Sequence, residues 1–271
     1  WVKYNIPGTK VKVRNKEGVY IPGVVATKPP HFMAAGEGDK VPEIAEMQID
    51  VGSSSRKETL EVFKIDTGCP IFVDVDCQYN EQTEVFFGKD FDDRFGAAVM
   101  VNLLAELQGK QTNLDVVCAL SSQEEVGLRG AYVTARKIKP DVAIVLESCP
   151  ADDTFEPDWL SQTGMKRGPM LRDMDKTFIP NPVFQQYVCE LADQRKIPYT
   201  RSVRTGGGQD GAAIYYENGA PTIVIGIPVR YEHSPYCFAS YQDYQASLAL
   251  ALAIVEDLTV EKLASFKQPR L

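Results

Sequence analysis

Residues Leu114-Asp115-Val116-Val117-Cys118-Ala119-Leu120-Ser121-Ser122-Gln123-Glu124-Glu125-Val126-Gly127-Leu128-Arg129-Gly130-Ala131 join an apolar run to a polar turn and then to a helical stretch. Leu114 to Leu120 has the length and content of a buried strand, and the helix is expected over 130–138. A strand feeding directly into a helix belongs to an α/β sheet, and such sheets bind ligands at their strand ends. Neighbouring residues there point in different directions. Glu124 and Glu125 can therefore act separately, one on a metal and one on a reacting water. On its own a Glu-Glu pair is more often a solvated turn, because charged residues are mostly exposed. The pair gains weight from the polar groups at other strand ends.

The strand–helix alternation continues on both sides. Upstream, Phe95, Ala98, Val99, Leu103, Leu104 and Leu107 have helical spacing, which predicts a helix over 93–108. Downstream, strands are expected at 142–147, 168–173 and 199–203, and helices at 182–195, 210–216 and 241–258. Pro221 to Ile227 is continuously apolar, as in a fully buried strand. The fold class is α/β, with a mostly parallel or mixed sheet covered by helices on both faces.

Residues 9 to about 80 have a different texture, read as all-β. Lys10 to Val13 alternates polar and apolar, and Tyr20 to Val25 is broken by Pro22-Gly23, which suggests a bent or edge strand. Short segments are expected at 44–49 and 59–65, and Asp66-Thr67-Gly68 turns into a strand at 71–74. The section reads as a small barrel or sandwich. The expected division is a β domain over 1–80 and an α/β domain over 81–271.

The chain has 271 residues and a formal net charge of −8 with no basic cluster, which argues against nucleic acid or an anionic membrane as partner. No apolar run reaches the length of a transmembrane helix, and no secretory signal stands out. Six scattered cysteines suggest reduced thiols and a cytoplasmic setting.

Four stretches near strand ends offer metal-ligand atoms: Asp92-Asp93-Arg94, Glu124-Glu125, Glu147, and Tyr231-Glu232-His233-Ser234-Pro235. A hard or borderline dication needs several carboxylate oxygens, with or without an imidazole, converging from separate elements. Two such ions ~3.5–4 Å apart can share a bridging carboxylate and a water. Each residue alone has a plainer reading: Asp92 as a helix cap, Glu147 as a solvated strand end, His31 as a packed or surface loop histidine. Asp66-Thr67-Gly68 matches the aspartic-protease triplet, but that chemistry needs two triplets meeting. Gly206-Gly207-Gly208 has no Gly-Lys-Ser/Thr continuation, so a tight turn that lets a substrate approach is the better reading. Cys149 and Cys237 have only His233 available and no spacing that marks a nucleophile pair.

Taken in order, Phe91-Asp92-Asp93-Arg94-Phe95-Gly96, Ser122 to Ala131, Arg204-Thr205-Gly206-Gly207-Gly208-Gln209-Asp210 and Tyr231 to Pro235 resemble the M42 metallo-aminopeptidases, the family of the tetrahedral (TET) peptidases and glutamyl aminopeptidases. The resemblance covers nearly the whole chain, and Lys28-Pro29-Pro30-His31 with the β section resembles that family's inserted dimerisation domain. It implies two divalent ions, zinc or cobalt, with Asp92 bridging, Glu125 and His233 completing one site, and Glu147 serving the other. It implies Glu124 as general base, Asp93 and Arg94 as orienting groups, and Gly207, Gly208 and Asp210 beside the substrate. The implied substrate is a short peptide with a free N-terminus, and the implied assembly is a homo-oligomer of dimers building to a dodecamer.

The sequence departs from the family at two points. The family's first ligand is a histidine in an Ala-His-x-Asp motif ahead of the inserted domain; no such motif occurs in these 271 residues, so the first metal site is expected to be incomplete within them. The loop reads Gly208-Gln209-Asp210-Gly211 where the family usually has Thr and Ala. Two rival readings follow. A non-catalytic assembly or regulatory subunit would bind fewer than two metals. A two-carboxylate glycoside hydrolase would work without metal but leaves His233 and the Asp92 stretch without a role.

Overall fold

Valines at alternate positions set the first sheet. In β1 (Lys10–Arg14), Val11 and Val13 are buried while their neighbours face out. A computed structural model of the chain describes residues 2–267 and divides them into two units. The first holds the residues up to Gln78, with Phe87–Asp90 and His233–Cys237. Its sheet is antiparallel, in the order β3-β2-β1-β4, and adds β2 (Tyr20–Ala26), β3 (Gln48–Asp50) and β4 (Ile71–Val73) to β1.

Two expectations for this section are corrected. β2 is not an edge strand, since β1 and β3 pair with its two sides. Pro22 is tolerated because β3 reaches only Val24–Ala26, so no ladder bond is demanded of the missing Pro22 N–H on that side. The segment expected at 59–65 is not a strand; a short helix, α1 (Arg56–Glu61), takes its start. Ser55 Oγ accepts the Glu58 N–H at 3.2 Å, and the Glu58 carboxylate takes the Ser54 N–H and hydroxyl at 2.7 Å each. These bonds satisfy the first-turn donors and favour a helix over a strand.

The second unit comprises Tyr79–Phe86, Phe91–Glu232 and Phe238 onward. The elements that lie wholly or in part within it are β5 (Gln78–Asn80), β6 (Val85–Gly88), α2 (Phe91–Leu107), α3 (Arg129–Ile138), β7 (Ala143–Pro150), β8 (Met170–Met174), α4 (Pro182–Arg195), β9 (Thr200–Val203), α5 (Asp210–Asn218), β10 (Thr222–Arg230), β11 (Cys237–Ser240), α6 (Tyr241–Asp257) and α7 (Val260–Phe266). The sheet is mixed. β7 runs parallel along one edge of β10, while β8 and β11 pair antiparallel with it, and β9 is parallel to β8. The whole of Thr222–Val229 is buried, as its unbroken apolar run predicts. Ile223 and Ile225 pack with Leu103, Phe184, Val188, Leu250 and Ile254 on one face, and Val224 packs with Val145 and α5 on the other. Period-two alternation within one strand thus feeds two helical layers.

Leu114 to Leu120, expected as a strand, forms none. Leu114 and Val116 pack against the core, but Val117 and Leu120 are 60% and 68% exposed. Among the described residues no strand pairs with this run, and alternation without a ladder does not make a strand. No helix among the described residues is long and apolar enough to cross a membrane.

Asp243 on α6 is fully buried and accepts the N–H groups of Lys166 at 2.6 Å and Gly168 at 2.8 Å. Burial raises its carboxyl to about 6 against an ordinary 3.8, despite those bonds. A raised folded-state value means that this group's contribution is full below the unfolded pKa and is lost as pH rises through 6. The stability of the wild type relative to Asp243→Asn should therefore fall between about pH 4 and 6, by at most about 3 kcal/mol. Urea melts of both proteins across that range measure it; parallel curves would contradict the assignment.

Candidate metal centre

The first turn of α2 is not regular helix. Asp92 has φ −81° and ψ 112°, Asp93 has φ −116° and ψ 60°, and the peptide bond between them is cis. Both carboxylates lie near Glu147 on β7: Asp92, Asp93 and Glu147 each offer an oxygen within 4.8 Å of the others. Asp93 Oδ1 accepts the Gly96 N–H at 2.9 Å, and Ser148 Oγ donates to the Phe91 carbonyl at 2.9 Å, which ties the turn to β7. Gly96 lets the two elements meet, since a Cβ there would press on the Asp93 carboxylate and lie 2.6 Å from the Leu146 carbonyl oxygen. Gly96→Ala should cost roughly 1–3 kcal/mol of stability and weaken metal binding, read together by thermal melting and cobalt titration. Wild-type affinity in a destabilised variant would separate the turn from the site.

Glu124 and Glu125 lie on the loop entering α3. Glu124 is half-buried and Glu125 exposed. The Glu124 carbonyl accepts the N–H groups of Gly127 at 3.0 Å and Leu128 at 2.9 Å, so the loop is held by its own backbone. Gly130 packs directly on the Ser122 backbone, leaving no room for a side chain. Glu125 and Asp92 also offer oxygens within 4.8 Å of one another, so Asp92 is common to two groupings. Asp210, at the start of α5, is half-buried, and burial raises its carboxyl above the ordinary range. Gly207 has φ +76° with open space where a Cβ would point, while Gly208 backs onto Thr177. Arg94 is exposed. His233 lies in the first unit, exposed, with φ +60°, and its carbonyl accepts the Val2 N–H. His31 is exposed in a short 3₁₀ turn.

The electrostatics of the cluster suit a bound cation. Burial, then the charges of Asp93, Asp92, Glu124 and Glu232, push the Glu147 carboxyl well above the ordinary range. Burial chiefly, with a smaller push from Asp92, raises Asp93 to about 7 despite the Gly96 N–H bond. Buried carboxylates that repel one another need a proton or a cation between them. An all-oxygen donor set of this kind fits a hard or borderline dication. Sequence reasoning quoted Glu232 but gave it no role; its charge reaches Glu147 because it follows the C-terminal end of β10, beside β7.

A mixed α/β sheet that gathers carboxylates from a helix start, a strand end and the intervening loop has the construction of a metallohydrolase. Comparison with known proteins narrows the class. The family model for M42 glutamyl aminopeptidase matches residues 1–250, and the chain belongs to that family: it is a metallopeptidase, a hydrolase acting as an aminopeptidase. The chain is 32% identical to the FrvX protein of Escherichia coli (strain K12) over 272 aligned residues, covering all of this chain and 75% of that protein. It is 30% identical to the lysyl aminopeptidase of Pyrococcus furiosus, covering 87% of this chain and 67% of that enzyme. Its fold matches a TET aminopeptidase crystal structure from the marine sediment archaeon Thaumarchaeota archaeon SCGC AB-539-E09, with a TM-score of 0.93 and 34% identity, covering 98% of this chain and 75% of that one.

Proposed function

We propose that the protein is a dinuclear metal-dependent aminopeptidase that removes N-terminal residues from short peptides. The observation that carries this reading is the sharing of Asp92 between two carboxylate groupings, one with Asp93 and Glu147 and one with Glu125. In this reading Asp92, Glu147, Glu125 and His233 would hold two divalent ions, with Asp92 shared between them; zinc and cobalt both suit the donors. Ions so held would polarise a carbonyl and lower the pKa of a water. Asp93, anchored by Gly96, fixes the direction of Asp92. Glu124 takes the proton of the attacking water and returns it to the leaving amine. A free substrate amine is drawn to the surrounding carboxylates, which restricts cleavage to the first residue. Gly207, Gly208 and Asp210 border the peptide.

The 1–80 β domain is proposed to pair two copies, and dimers to build towards a dodecamer, as the sequence resemblance implies. The test is hydrolysis of aminoacyl p-nitroanilides by cobalt- or zinc-loaded protein. The reading expects turnover that chelator abolishes and that N-acetylation of the substrate abolishes. Turnover insensitive to both, or none with metal bound, would overturn it.

A further inference from the structure

The loop that follows β7 presents apolar side chains to solvent: Phe155 is 69% exposed, Trp159 84% and Leu160 45%. Its base is firmly held. The Ala151 N–H donates to the Val229 carbonyl at 2.9 Å, and the Phe155 and Glu156 N–H groups both donate to the Asp152 carbonyl at 2.9 Å. The Asp152 carboxylate accepts from Ser161 Oγ at 2.7 Å and from Arg204 Nη2 at 2.8 Å. Asp153 accepts a fork from Arg230, with Nε at 3.0 Å and Nη2 at 2.6 Å. Large apolar side chains gathered in solvent on a loop held this way mark a contact site.

Phe155 meets Tyr231 edge-on, with ring centroids 6.0 Å apart, and Tyr231 meets Phe238 of β11 edge-on at 6.2 Å. The three rings form a row that starts half-buried on the sheet and ends in solvent. The Arg230 fork sets the row, because it fastens Asp153 to the residue before Tyr231. Tyr231 has φ +60°, which bulky residues adopt only where their surroundings hold them. The row borders the metal centre, since Tyr231 directly precedes Glu232, whose charge reaches Glu147. Consecutive Cα atoms lie about 3.8 Å apart. Tyr231 is therefore one residue length from Glu232, just as the residue after a scissile bond is one length from the reacting carbonyl. Arg204 and Arg230 are both paired with carboxylates, so the surface that the row offers is apolar rather than ionic.

Resting on the aminopeptidase reading, we propose that the Phe155–Tyr231–Phe238 row is a specificity surface that receives an apolar or aromatic side chain on the residue after the scissile bond. A substrate ring would pack on Phe155 and Tyr231 and take their exposed apolar area out of water. Such a contact is made equally by the bound peptide and by the transition state, so it lowers KM and leaves kcat alone.

The test compares leucine release from Leu-Phe-Gly and from Leu-Gly-Gly by cobalt-loaded wild type, Phe155→Ser and Phe155→Tyr. The expected ratio of kcat/KM, Leu-Phe-Gly over Leu-Gly-Gly, is roughly tenfold in the wild type. In Phe155→Ser it falls towards one, chiefly through the KM of Leu-Phe-Gly, and in Phe155→Tyr, which keeps the ring, it holds at the wild-type value. Saturation-transfer NMR on the metal-free protein should find the phenyl ring of Phe-Gly in contact with the wild type and not with Phe155→Ser. A wild-type ratio near one, or a ratio unchanged in the Ser variant, overturns the assignment while leaving the aminopeptidase reading intact. An unchanged ratio with a smaller particle in Phe155→Ser, measured by light scattering, also overturns it, by giving the row to a second copy of the chain. Failure to cleave either peptide with metal bound defeats the aminopeptidase reading, and the assignment falls with it. If Phe155→Ser does not fold, the wild-type ratio and the wild-type NMR contact decide.

Discussion

Glu124→Gln should lower kcat by roughly 10²–10⁴-fold while leaving the fold and the bound metal unchanged. The substitution keeps the size of the side chain and removes its basicity. Its loop does not depend on the carboxylate, since the Glu124 carbonyl is what anchors Gly127 and Leu128. Metal should also be retained, because the proposed ligands are Asp92, Glu125, Glu147 and His233. The expected pattern is therefore a collapse of kcat with little change in KM and in metal content. A loss of metal in the same variant would make Glu124 a ligand, and near-normal kcat would remove it from the chemistry.

Asp92→Ala should have the wider effect. Asp92 belongs to both carboxylate groupings, whereas Glu147 and Glu125 each belong to one. Its removal should empty both sites and reduce activity by more than about 100-fold, the upper end of the loss caused by perturbing outer-shell partners alone. Glu125→Ala and Glu147→Ala should each release a single ion. Metal content after dialysis distinguishes the three variants. Equal losses in all three would argue against a bridging role for Asp92.

The turns that carry Asp92 and Glu124-Glu125 are legible in the sequence because their geometry is local. The Glu124-Glu125 turn depends on Gly130 packing onto Ser122, eight positions away, and the Asp92 turn depends on Gly96. The buried strand Thr222–Val229 is equally plain, since burial on both faces leaves a continuous apolar run. Where partners are remote the reading fails. Leu114 to Leu120 has the apolar content of a strand, but content does not report whether a ladder partner exists. Arg172 looks like an exposed residue in Met170-Leu171-Arg172-Asp173, yet it is buried in a strand flanked by β9 and β10, both remote in the chain. Asp243 is buried by a loop some 75 residues before it. One miss was avoidable: Ser55 and Glu58 carry the spacing of a helix start, and that local signal outweighs the apolar residues after it.

The most direct test of the central claim is the anomalous scattering of zinc-loaded crystals at the zinc edge. The account predicts two peaks flanking the Asp92 carboxylate, each about 2.0–2.2 Å from one of its oxygens, with Glu147 beside one and Glu125 and His233 beside the other. Zinc bound only elsewhere, with no peak in contact with Asp92, would contradict it.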